Sequence, residues 1–262
     1  MTDHATAERG PAGAQAVRRA LGLLSAFHDN GPELSASDLA RRLNLTVPTA
    51  HRLARTLVAT GFLEQNERTL RYRLGPAVVE LGQLSFHQRG LHLAQPELRQ
   101  LADRTSSTAD LAILAGTHAV IVAGGSVHPR GDLGLRRPLH STALGKVLLA
   151  WATPAEAAVI DELDLAAFTE HTITDADALR AALADIRENG YALNNGESMQ
   201  GVRTLAVPVL DAEGHARFAV ATRTSTAALT DERLEWFLGH ARACAAALQI
   251  LLLPPSQRPQ HP

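Results

Sequence analysis

Arginine and threonine side chains recur along one predicted helix at a spacing suited to contacting DNA. Beyond Pro48, apolar residues fall at i, i+3, i+4, i+7 and i+8, which predicts a helix with one buried stripe. The opposite face carries Thr49, Arg52, Arg55 and Thr56, with His51 at its flank. Guanidinium groups pair with guanine edges, and threonine hydroxyls suit phosphates or bases. The alternative is a solvated arginine face on a small helical domain.

The residues around this helix predict a helix-turn-helix followed by a wing. A short helix over 38–43, with Ser37 as its N-cap, leads into a tight turn over 44–47 that contains Thr46. After Gly61, two extended runs over 62–65 and 70–74 form a hairpin. This hairpin carries three further candidate DNA contacts, Arg68, Arg71 and Arg73. An amphipathic helix from Val17 to Phe27 precedes the motif.

Charge is distributed unevenly between the two ends of the chain. Residues 14–75 contain nine basic and five acidic residues, whereas residues 91–262 contain 14 basic and 19 acidic ones. A basic head on an acidic body is expected where one end meets a polyanion. Lys146 is the only lysine among the 25 basic residues. Such an arginine bias suits phosphate binding, but genomic base composition produces it as well.

Composition excludes several classes of protein. With 45% hydrophobic and 20% charged residues, the 262-residue chain is long enough for one large or two small folded domains. We find no secretory signal and no run long enough to span a membrane, and we expect a cytoplasmic protein. The single cysteine, Cys244, lies in an apolar stretch and is predicted to be a core residue rather than a redox sensor.

The second half predicts a mixed domain without catalytic machinery. A helix over 76–88 connects it to the first block, and a further helix is predicted over 96–104. Predicted strands cover 110–115, 119–123, 205–210 and 217–223, and predicted helices cover 142–151, 154–163, 177–189 and 231–253. The chain lacks the sequence motifs of nucleophile elbows, zinc peptidases and nucleotide loops. We therefore expect no metal and no cofactor, and a structural or pocket-lining His140.

Several segments resemble the IclR family of bacterial transcriptional regulators. The likeness in the first half is carried by Val17–Leu24, Leu39–Leu45, Thr49–Leu53 and Arg71–Gly75. In the second half it is carried by Leu139–Lys146, Thr172–Asp175 and Gly201–Arg203 followed by Ala206–Val209. The run LHSTALGK at Leu139–Lys146 is the most specific of these segments. The resemblance covers about residues 15–252.

The resemblance implies an α+β protein with an N-terminal winged helix-turn-helix, a linker helix and a C-terminal GAF-like α/β effector domain. In this sequence the three parts correspond to residues 14–75, 76–94 and 95–253, with flexible tails at 1–13 and 254–262. It also implies homodimers, often dimers of dimers, that bind palindromic operators on double-stranded DNA and respond to a small effector, often an organic or aromatic acid. No membrane partner is implied.

The family pattern also suggests which residues contact the effector, and here this sequence departs from it. Asn194 and Thr204 stand where the family usually has an aspartate and a cysteine, and Ala221 and Arg223 align with two frequent serines. Ala143 and Leu144 precede the Gly-Lys pair of the LHSTALGK run. We hypothesise an anionic effector whose carboxylate is held by Arg223. Alternatively, Arg223 pairs with a carboxylate such as Glu197, or faces solvent after a one-residue strand shift.

These observations predict a ligand-responsive DNA-binding regulator without catalytic activity. One alternative is a small-molecule enzyme whose first 75 residues form an oligomerisation module. Another is an architectural DNA binder without site preference, which would leave the second domain without a role.

Overall fold

The structure, a computed structural model, describes residues 12–28, 31–127 and 134–259. The described residues form two compact units with a boundary between Ser85 and Phe86. Helices and strands occur in both units, so the predicted α+β class is confirmed. The boundary lies inside the segment 76–94 that was predicted as a linker, and each unit has its own hydrophobic core.

The first unit contains three helices, an antiparallel hairpin and the beginning of a fourth helix. Its elements are α1 (Ala12–Ser25), α2 (Ala36–Arg42), α3 (Val47–Ala59), β1 (Leu63–Gln65), β2 (Tyr72–Leu74) and α4 (Pro76–Gln88). Leu23, Leu39, Ala50, Ala54 and Tyr72 are buried together in its core. The apolar stripe of α3 therefore faces α1, α2 and the hairpin, as its spacing predicted. Helix α4 has the predicted bounds.

Helix α2 begins two residues earlier than the sequence suggested. Its N-cap is Ser35 rather than Ser37, because Ser35 Oγ accepts a hydrogen bond from the Asp38 amide at 3.1 Å. The Asp38 carboxylate in turn accepts from the Ser35 amide, which completes a capping box. The Ser35 hydroxyl also donates to this carboxylate at 2.7 Å, and the hydrogen bonds from the hydroxyl and the amide of Ser35 lower the pKa of Asp38, as do the charges of Arg41 and Arg71. Two serines two residues apart made the choice of cap ambiguous from sequence.

The hairpin has shorter strands and a longer tip than predicted. Asn66 Oδ1 accepts hydrogen bonds from the amides of Arg68 and Thr69, at 3.0 and 3.2 Å, which curls the chain after β1. Leu70 then adopts a φ of 56°, so it cannot continue a strand. Across the hairpin, Gly75 lies so close to the Gly61 carbonyl that a Cβ would approach it to 2.2 Å.

The second unit is a six-stranded antiparallel sheet with helices on both faces. Its helices are α5 (Ala94–Thr105), α6 (Ala143–Ala150), α7 (Pro154–Ala157), α8 (Ala176–Asn189) and α9 (Leu234–Leu252). Its strands are β3 (Thr108–Ala115), β4 (His118–Gly124), β5 (Arg136–Pro138), β6 (Ala192–Asn195), β7 (Val202–Leu210) and β8 (Ala216–Ser225). They follow the order β5-β4-β3-β8-β7-β6.

Two cores lie on the two faces of this sheet. Helices α5 and α9 cover one face, where Leu98 and Phe237 pack near Leu111 and Val220. Helices α6 and α8 cover the other, which we call the α6 face, where Leu148 packs near small residues of the sheet. Alternation along each strand assigns every side chain to one face or the other. The α6 face is the one that contains the candidate effector residues.

The two outer strands, β5 and β6, were not predicted from the sequence. Strand β5 contains two arginines and a proline, and β6 ends in two asparagines, compositions that do not favour strands. Both lie at an edge of the sheet, where a proline and polar residues are tolerated. Pairing with a longer neighbour, rather than local preference, defines them.

The described parts of the two segments predicted as flexible tails, 1–13 and 254–262, are ordered elements of the structure. Residues 1–11 and 260–262 lie outside the described residues, but Ala12 and Gly13 belong to α1. After α9, Pro255–Gln257 form a 3-10 helix, and the Gln257 carbonyl accepts a hydrogen bond from the Ala212 amide at 2.9 Å. Residues 254–259 are therefore tied to the second unit. No helix in the described part of the chain is long and apolar enough to cross a bilayer.

Candidate DNA-contacting face and ligand site

Helix α3 presents its two arginines to solvent. Arg52 and Arg55 are exposed, and neither guanidinium group has a carboxylate partner among the described residues. Thr56 lies beside them and donates its hydroxyl to the Arg52 carbonyl at 3.1 Å. At the beginning of the helix, the hydroxyls of Thr46 and Thr49 lie 2.9 Å apart. Every polar residue predicted for this face thus lies on the side of α3 away from the core.

The buried ring of Tyr72 links α3 to the hairpin. The ring of exposed His51 lies edge-on to it, with centroids 6.5 Å apart. The Tyr72 hydroxyl is buried, and no hydrogen-bond partner for it occurs among the described residues. Burial raises the pKa of Tyr72, while the charge of Arg55 acts in the opposite direction. The contact anchors β2 beneath the arginine-bearing helix.

The three arginines of the hairpin have different surroundings. Arg73 lies 2.6 Å from Glu64 on the neighbouring strand, and Arg71 donates to the Glu33 carbonyl at 3.2 Å. Arg68, at the exposed tip, has no side-chain partner among the described residues. The sequence grouped the three as equivalent. The structure instead leaves Arg68 available and engages the other two.

In the second unit, four polar positions form a row across the α6 face. Asn194 lies opposite Thr204, Thr204 opposite Arg223, and Arg223 opposite Thr108. Residues opposite one another on neighbouring strands share a face, so three of the predicted effector residues are neighbours. The next row along this face contains Ala192, Ala206 and Ala221 and ends at Asp110. Ala221 is buried there, beside Arg223 in the chain.

Asn194 is a buried amide with its hydrogen bonds committed to nearby chain segments. Its Nδ2 donates to the Ser141 carbonyl at 2.5 Å and to Ser198 Oγ at 3.1 Å. Its Oδ1 accepts from the Glu197 amide at 3.0 Å. The side chain therefore shapes the turn after β6 and fixes the segment before α6. It is a structural element of the candidate site as well as a polar wall.

Arg223 is half-buried and directed towards the opposite end of the row. Its Nη2 donates to Ser126 Oγ at 3.3 Å, and Ser126 donates through both its amide and its hydroxyl to Asp110, at 2.8 and 2.7 Å. The alternative in which Arg223 pairs with Glu197 is wrong, because Glu197 Oε1 is bound by Lys146 and Oε2 has no hydrogen-bond partner among the described residues. The strand register keeps Arg223 on the α6 face, so the one-residue shift does not occur.

A buried ion pair lies next to Asn194. Lys146 Nζ lies 2.5 Å from Glu197 Oε1, and the two residues are 3% and 8% exposed. The second carboxylate oxygen, Oε2, is buried with no hydrogen-bond partner in the described residues. Removing both charges from water is costly, so the pair depends on its close geometry. Lys146 is the residue that ends the LHSTALGK run.

Ala143 and Leu144 begin helix α6 and are buried. Thr142 caps the helix by accepting from the Gly145 amide at 3.1 Å. A Cβ at Gly145 would lie 2.4 Å from Leu139 Cα, so only glycine permits the helix to approach the preceding segment this closely. Because α6 packs on the α6 face, Leu144 supplies apolar surface on the same side of the sheet as Arg223.

Two further residues of this site, Asp110 and Ser126, were not predicted from the sequence. Ser126 is buried, and its hydroxyl joins Arg223 to Asp110. His140 Nε2 lies 3.0 Å from the Ala166 carbonyl and the ring stacks on Phe168, which agrees with the predicted structural or pocket-lining role. The described residues contain no cluster of three metal-ligating side chains.

Comparison with known sequences gives matches along almost the whole chain. The IclR helix-turn-helix domain matches residues 16–67, and the C-terminal domain of bacterial transcriptional regulator IclR matches residues 87–250. The HTH-type transcriptional regulator XynR of Escherichia coli K12 is 35% identical over 250 residues, covering 91% of this chain and 97% of that protein. BhcR of Paracoccus denitrificans is 34% identical over 228 residues, covering 85% and 81%.

Solved structures show the same architecture. A proposed IclR transcriptional regulator from Silicibacter sp. TM1040 superposes with a TM-score of 0.82 at 29% identity, covering 94% of this chain and all of that one. An IclR homolog from Microbacterium hydrocarbonoxydans, in complex with 4-hydroxybenzoate, gives a TM-score of 0.73 at 26% identity, covering 90% and 98%.

Proposed function

Because the chain belongs to the IclR family of bacterial transcriptional regulators, it is a regulator and not an enzyme, and we propose that it binds a specific operator through α3 and the wing. We further propose that a small carboxylate held by Arg223 controls this binding. The observation that carries the DNA proposal is the pair of exposed arginines on the second helix of the motif, Arg52 and Arg55, which have no carboxylate partner among the described residues.

The DNA contacts divide into two kinds. The second helix of a helix-turn-helix enters the major groove, where Arg52 and Arg55 would read guanine edges and Thr49 and Thr56 would contact bases or phosphates. Thr46 and His51 flank that surface. Arg68 at the tip of the wing would bind backbone phosphate, which adds affinity without sequence information. Arg71 and Arg73 would contribute less, because protein acceptors already engage them.

The effector proposal rests on a half-buried arginine in an otherwise neutral row. Arg223 presents a planar fork that matches a carboxylate, and its described partner is a single serine hydroxyl at 3.3 Å. Thr204 would contribute a neutral polar contact and Asn194 the second acceptor position of its Oδ1, while Ala143, Leu144 and Ala221 would supply apolar walls. The related structure with 4-hydroxybenzoate is a precedent for an aromatic acid.

A homodimer is proposed from the exposed apolar residues of the first unit. Val17 and Leu21 of α1 are 60% and 59% exposed, and Val79 of α4 is 65% exposed. Leu81 and Leu84 on the same helix are also exposed. Apolar side chains left open on two helices favour association with a second copy, and two-fold symmetry would place two reading helices on a palindromic operator in the cytoplasm. We also propose that two such dimers associate into a tetramer.

The test is selection of binding sites from a random duplex library with the full-length chain, followed by affinity measurements at about 150 mM salt. We expect one enriched palindrome and an affinity for it that falls steeply as the salt concentration rises. Adding a carboxylic acid that binds the chain should change this affinity. Equal affinity for all duplexes would support an architectural binder, and absence of duplex binding would overturn the DNA proposal. Sedimentation of the same samples measures the dimer and the tetramer.

A further inference from the structure

Helix α9 has apolar residues on the side that points away from the sheet. Its buried residues, which pack into the core, are Phe237, Leu238, Ala241, Cys244, Ala245 and Leu248. On the outer side, Trp236 is 43% exposed and Ile250 is 60% exposed. From residue 243 to its end the helix contains no charged residue, although the solvent side of a surface helix is normally polar. The outer side of α9 is therefore suited to contact with another protein surface.

The outward residues of α9 have the spacing of a helix-pairing seam. Five of them recur at intervals of three and four residues, and we call them the outer seam: Trp236, Gly239, Ala243, Ala246 and Ile250. All five are exposed. This heptad spacing keeps a row of side chains directed at one neighbouring helix. The residues at the two ends are large and the three between them are small, which permits a close approach of two helices.

Gly239 is explained by such an approach and not by the fold of the described residues. A Cβ added at this position would meet nothing within 4 Å. Glycine is a poorer helix former than alanine, so its presence inside a helix needs a reason. Glycine does allow a second backbone to come close. An exposed glycine within the outer seam thus indicates a helix packed against α9.

Trp236 is held in place at the beginning of the outer seam. The guanidinium carbon of Arg233 lies 5.1 Å from the centroid of its ring, and the ring of His240 lies edge-on to it at 4.6 Å. A side chain that is already ordered loses little conformational freedom on binding. Tryptophan is also prominent among the residues that dominate the energy of protein interfaces. Trp236 therefore has the properties of an interface anchor.

The order of side-chain sizes along the outer seam is the same in both directions. Trp236 and Ile250 each lie seven residues from Ala243. A two-fold axis at Ala243 would bring the tryptophan of one chain against the isoleucine of a second, with the small residues facing one another. Contacts between identical chains about a two-fold axis require such a self-complementary surface. The outer seam thus fits a second copy of this chain in antiparallel orientation.

The charges at the two ends of α9 are complementary in the same orientation. Glu235 is exposed at the beginning of the helix. Beyond its end, Arg258 donates to the carbonyls of Leu253 and Ile250, at 2.9 and 2.6 Å, and so places its positive charge beside the last turn. Antiparallel pairing would bring the acidic beginning of one helix near the basic end of the other. It would also set the two helix dipoles in opposite directions, which is favourable.

From these observations we infer that the outer seam of α9 is an interaction surface for a second copy of this chain, packed antiparallel about a two-fold axis at Ala243. The proposed dimer uses α1 and α4 of the first unit, so α9 supplies a separate contact that joins two such dimers. The inference rests on the proposed function for that dimer and for nothing else. The experiment tests the two contacts separately.

The experiment measures the assembly of the full-length chain by sedimentation at micromolar concentrations. Ala243→Glu places two like charges at the proposed axis, and Val79→Glu disrupts the contact of the first unit. Ala184→Glu, which changes an exposed alanine of α8, is the matched control. We expect a tetramer for wild type and Ala184→Glu, a dimer for each of the other two variants, and a monomer when those two changes are combined.

Oxidative cross-linking tests the axis itself and uses a conservative change. Closely packed helices bring residues at a two-fold axis within disulfide range, so Ala243→Cys should form covalent dimers. Ala246→Cys lies away from the axis and should cross-link at least about tenfold more slowly. The native Cys244 is buried, which raises the pKa of its thiol to about 12, so it should not react at neutral pH. Wild type is the control.

The outcomes separate the new contact from the proposed dimer. If Ala243→Glu assembles like wild type, the α9 contact is wrong, while a dimer that Val79→Glu dissociates would still support the contact of the first unit. If only Ala243→Glu dissociates the chain, the α9 contact stands and the dimer through α1 and α4 fails. If Ala243→Cys cross-links no faster than Ala246→Cys, the two-fold axis at Ala243 is overturned. A far-UV circular dichroism spectrum identical to that of wild type excludes a folding defect, and Ala246→Lys repeats the test at a second position of the outer seam.

Discussion

Lys146 and Glu197, which are 51 residues apart in the chain, form a buried ion pair with Nζ 2.5 Å from Oε1. The lysine comes from α6 and the glutamate from the turn after β6, so the pair joins a helix to the edge of the sheet. Asn194 fixes the same turn through the Glu197 amide at 3.0 Å. The only lysine of the chain is thus used inside the protein rather than on its surface.

Breaking this pair should destabilise the second unit strongly. Glu197→Gln leaves the Lys146 charge buried without its partner, and such removals cost about 3–5 kcal/mol. Trp151 and Trp236 both belong to the second unit, so their fluorescence during urea unfolding reports on that unit alone. Glu64→Gln, which breaks the exposed pair with Arg73 in the first unit, is the control and should leave the tryptophan transition unchanged. A loss below about 1 kcal/mol for Glu197→Gln would contradict the prediction.

Sequence reasoning located most elements but not their partners. The stripe of α3 and the helix over 76–88 follow from local periodicity, and both were placed within about a residue. Strands β5 and β6 were missed, because three or four residues of mixed polarity carry no local signal. Asn194, Thr204 and Arg223 were chosen by resemblance, yet only the strand register makes them neighbours. The contacts of Glu197 with Lys146 and of Ser126 with Asp110 join distant segments, which periodicity cannot reveal.

Arg52→Ala and Arg55→Ala should each weaken operator binding by about 1–3 kcal/mol. Each substitution removes a guanidinium group that would hydrogen-bond to base edges from the exposed face of α3. Binding of a carboxylate probe should remain unchanged, because both residues belong to the first unit. Fluorescence anisotropy with the selected operator at about 150 mM salt measures the change. Arg99→Ala, an exposed arginine of the second unit, is the control. Wild-type affinity in both α3 variants would refute this assignment of the reading face.

The wing arginines should differ in their contribution to DNA binding. Arg68→Ala removes an available charge from the tip and should reduce the salt slope of binding by about one. Arg73→Ala removes a charge that Glu64 already offsets at 2.6 Å, so we expect a smaller change in slope. Both slopes come from operator titrations over a range of salt concentrations. Equal losses in the two variants would mean that the Arg73–Glu64 pair opens when the wing meets DNA.

The corrected N-cap of α2 can be checked with two neighbouring serines. Ser35→Ala removes the acceptor of the Asp38 amide and should lower the stability of the first unit by about 1 kcal/mol. Ser37 lies inside the helix and is exposed, and alanine is the better helix former, so Ser37→Ala should have no cost. Far-UV circular dichroism during unfolding gives the stability, with tryptophan fluorescence separating the second unit. If Ser37→Ala destabilised the first unit more than Ser35→Ala, Ser37 would be the N-cap, as the sequence predicted.

The reactivity of the Cys244 thiol reports on the packing of the core between α9 and the sheet. This thiol is 6% exposed in α9, and burial raises its pKa from 9.0 to about 12, with a smaller contribution from the charge of Glu97. A thiol reagent such as iodoacetamide should therefore fail to label the native chain at pH 8, where the thiolate is the reactive form. Between pH 9 and about 12 the Cys244 thiol keeps its proton in the folded state and loses it in the unfolded state. Its contribution to the free energy of unfolding is therefore complete below pH 9 and decreases as the pH rises towards 12. Labelling should become rapid in urea, and mass spectrometry counts the adduct. Rapid labelling of the native chain at pH 8 would contradict the burial of Cys244 and its place in the packing between α9 and the sheet.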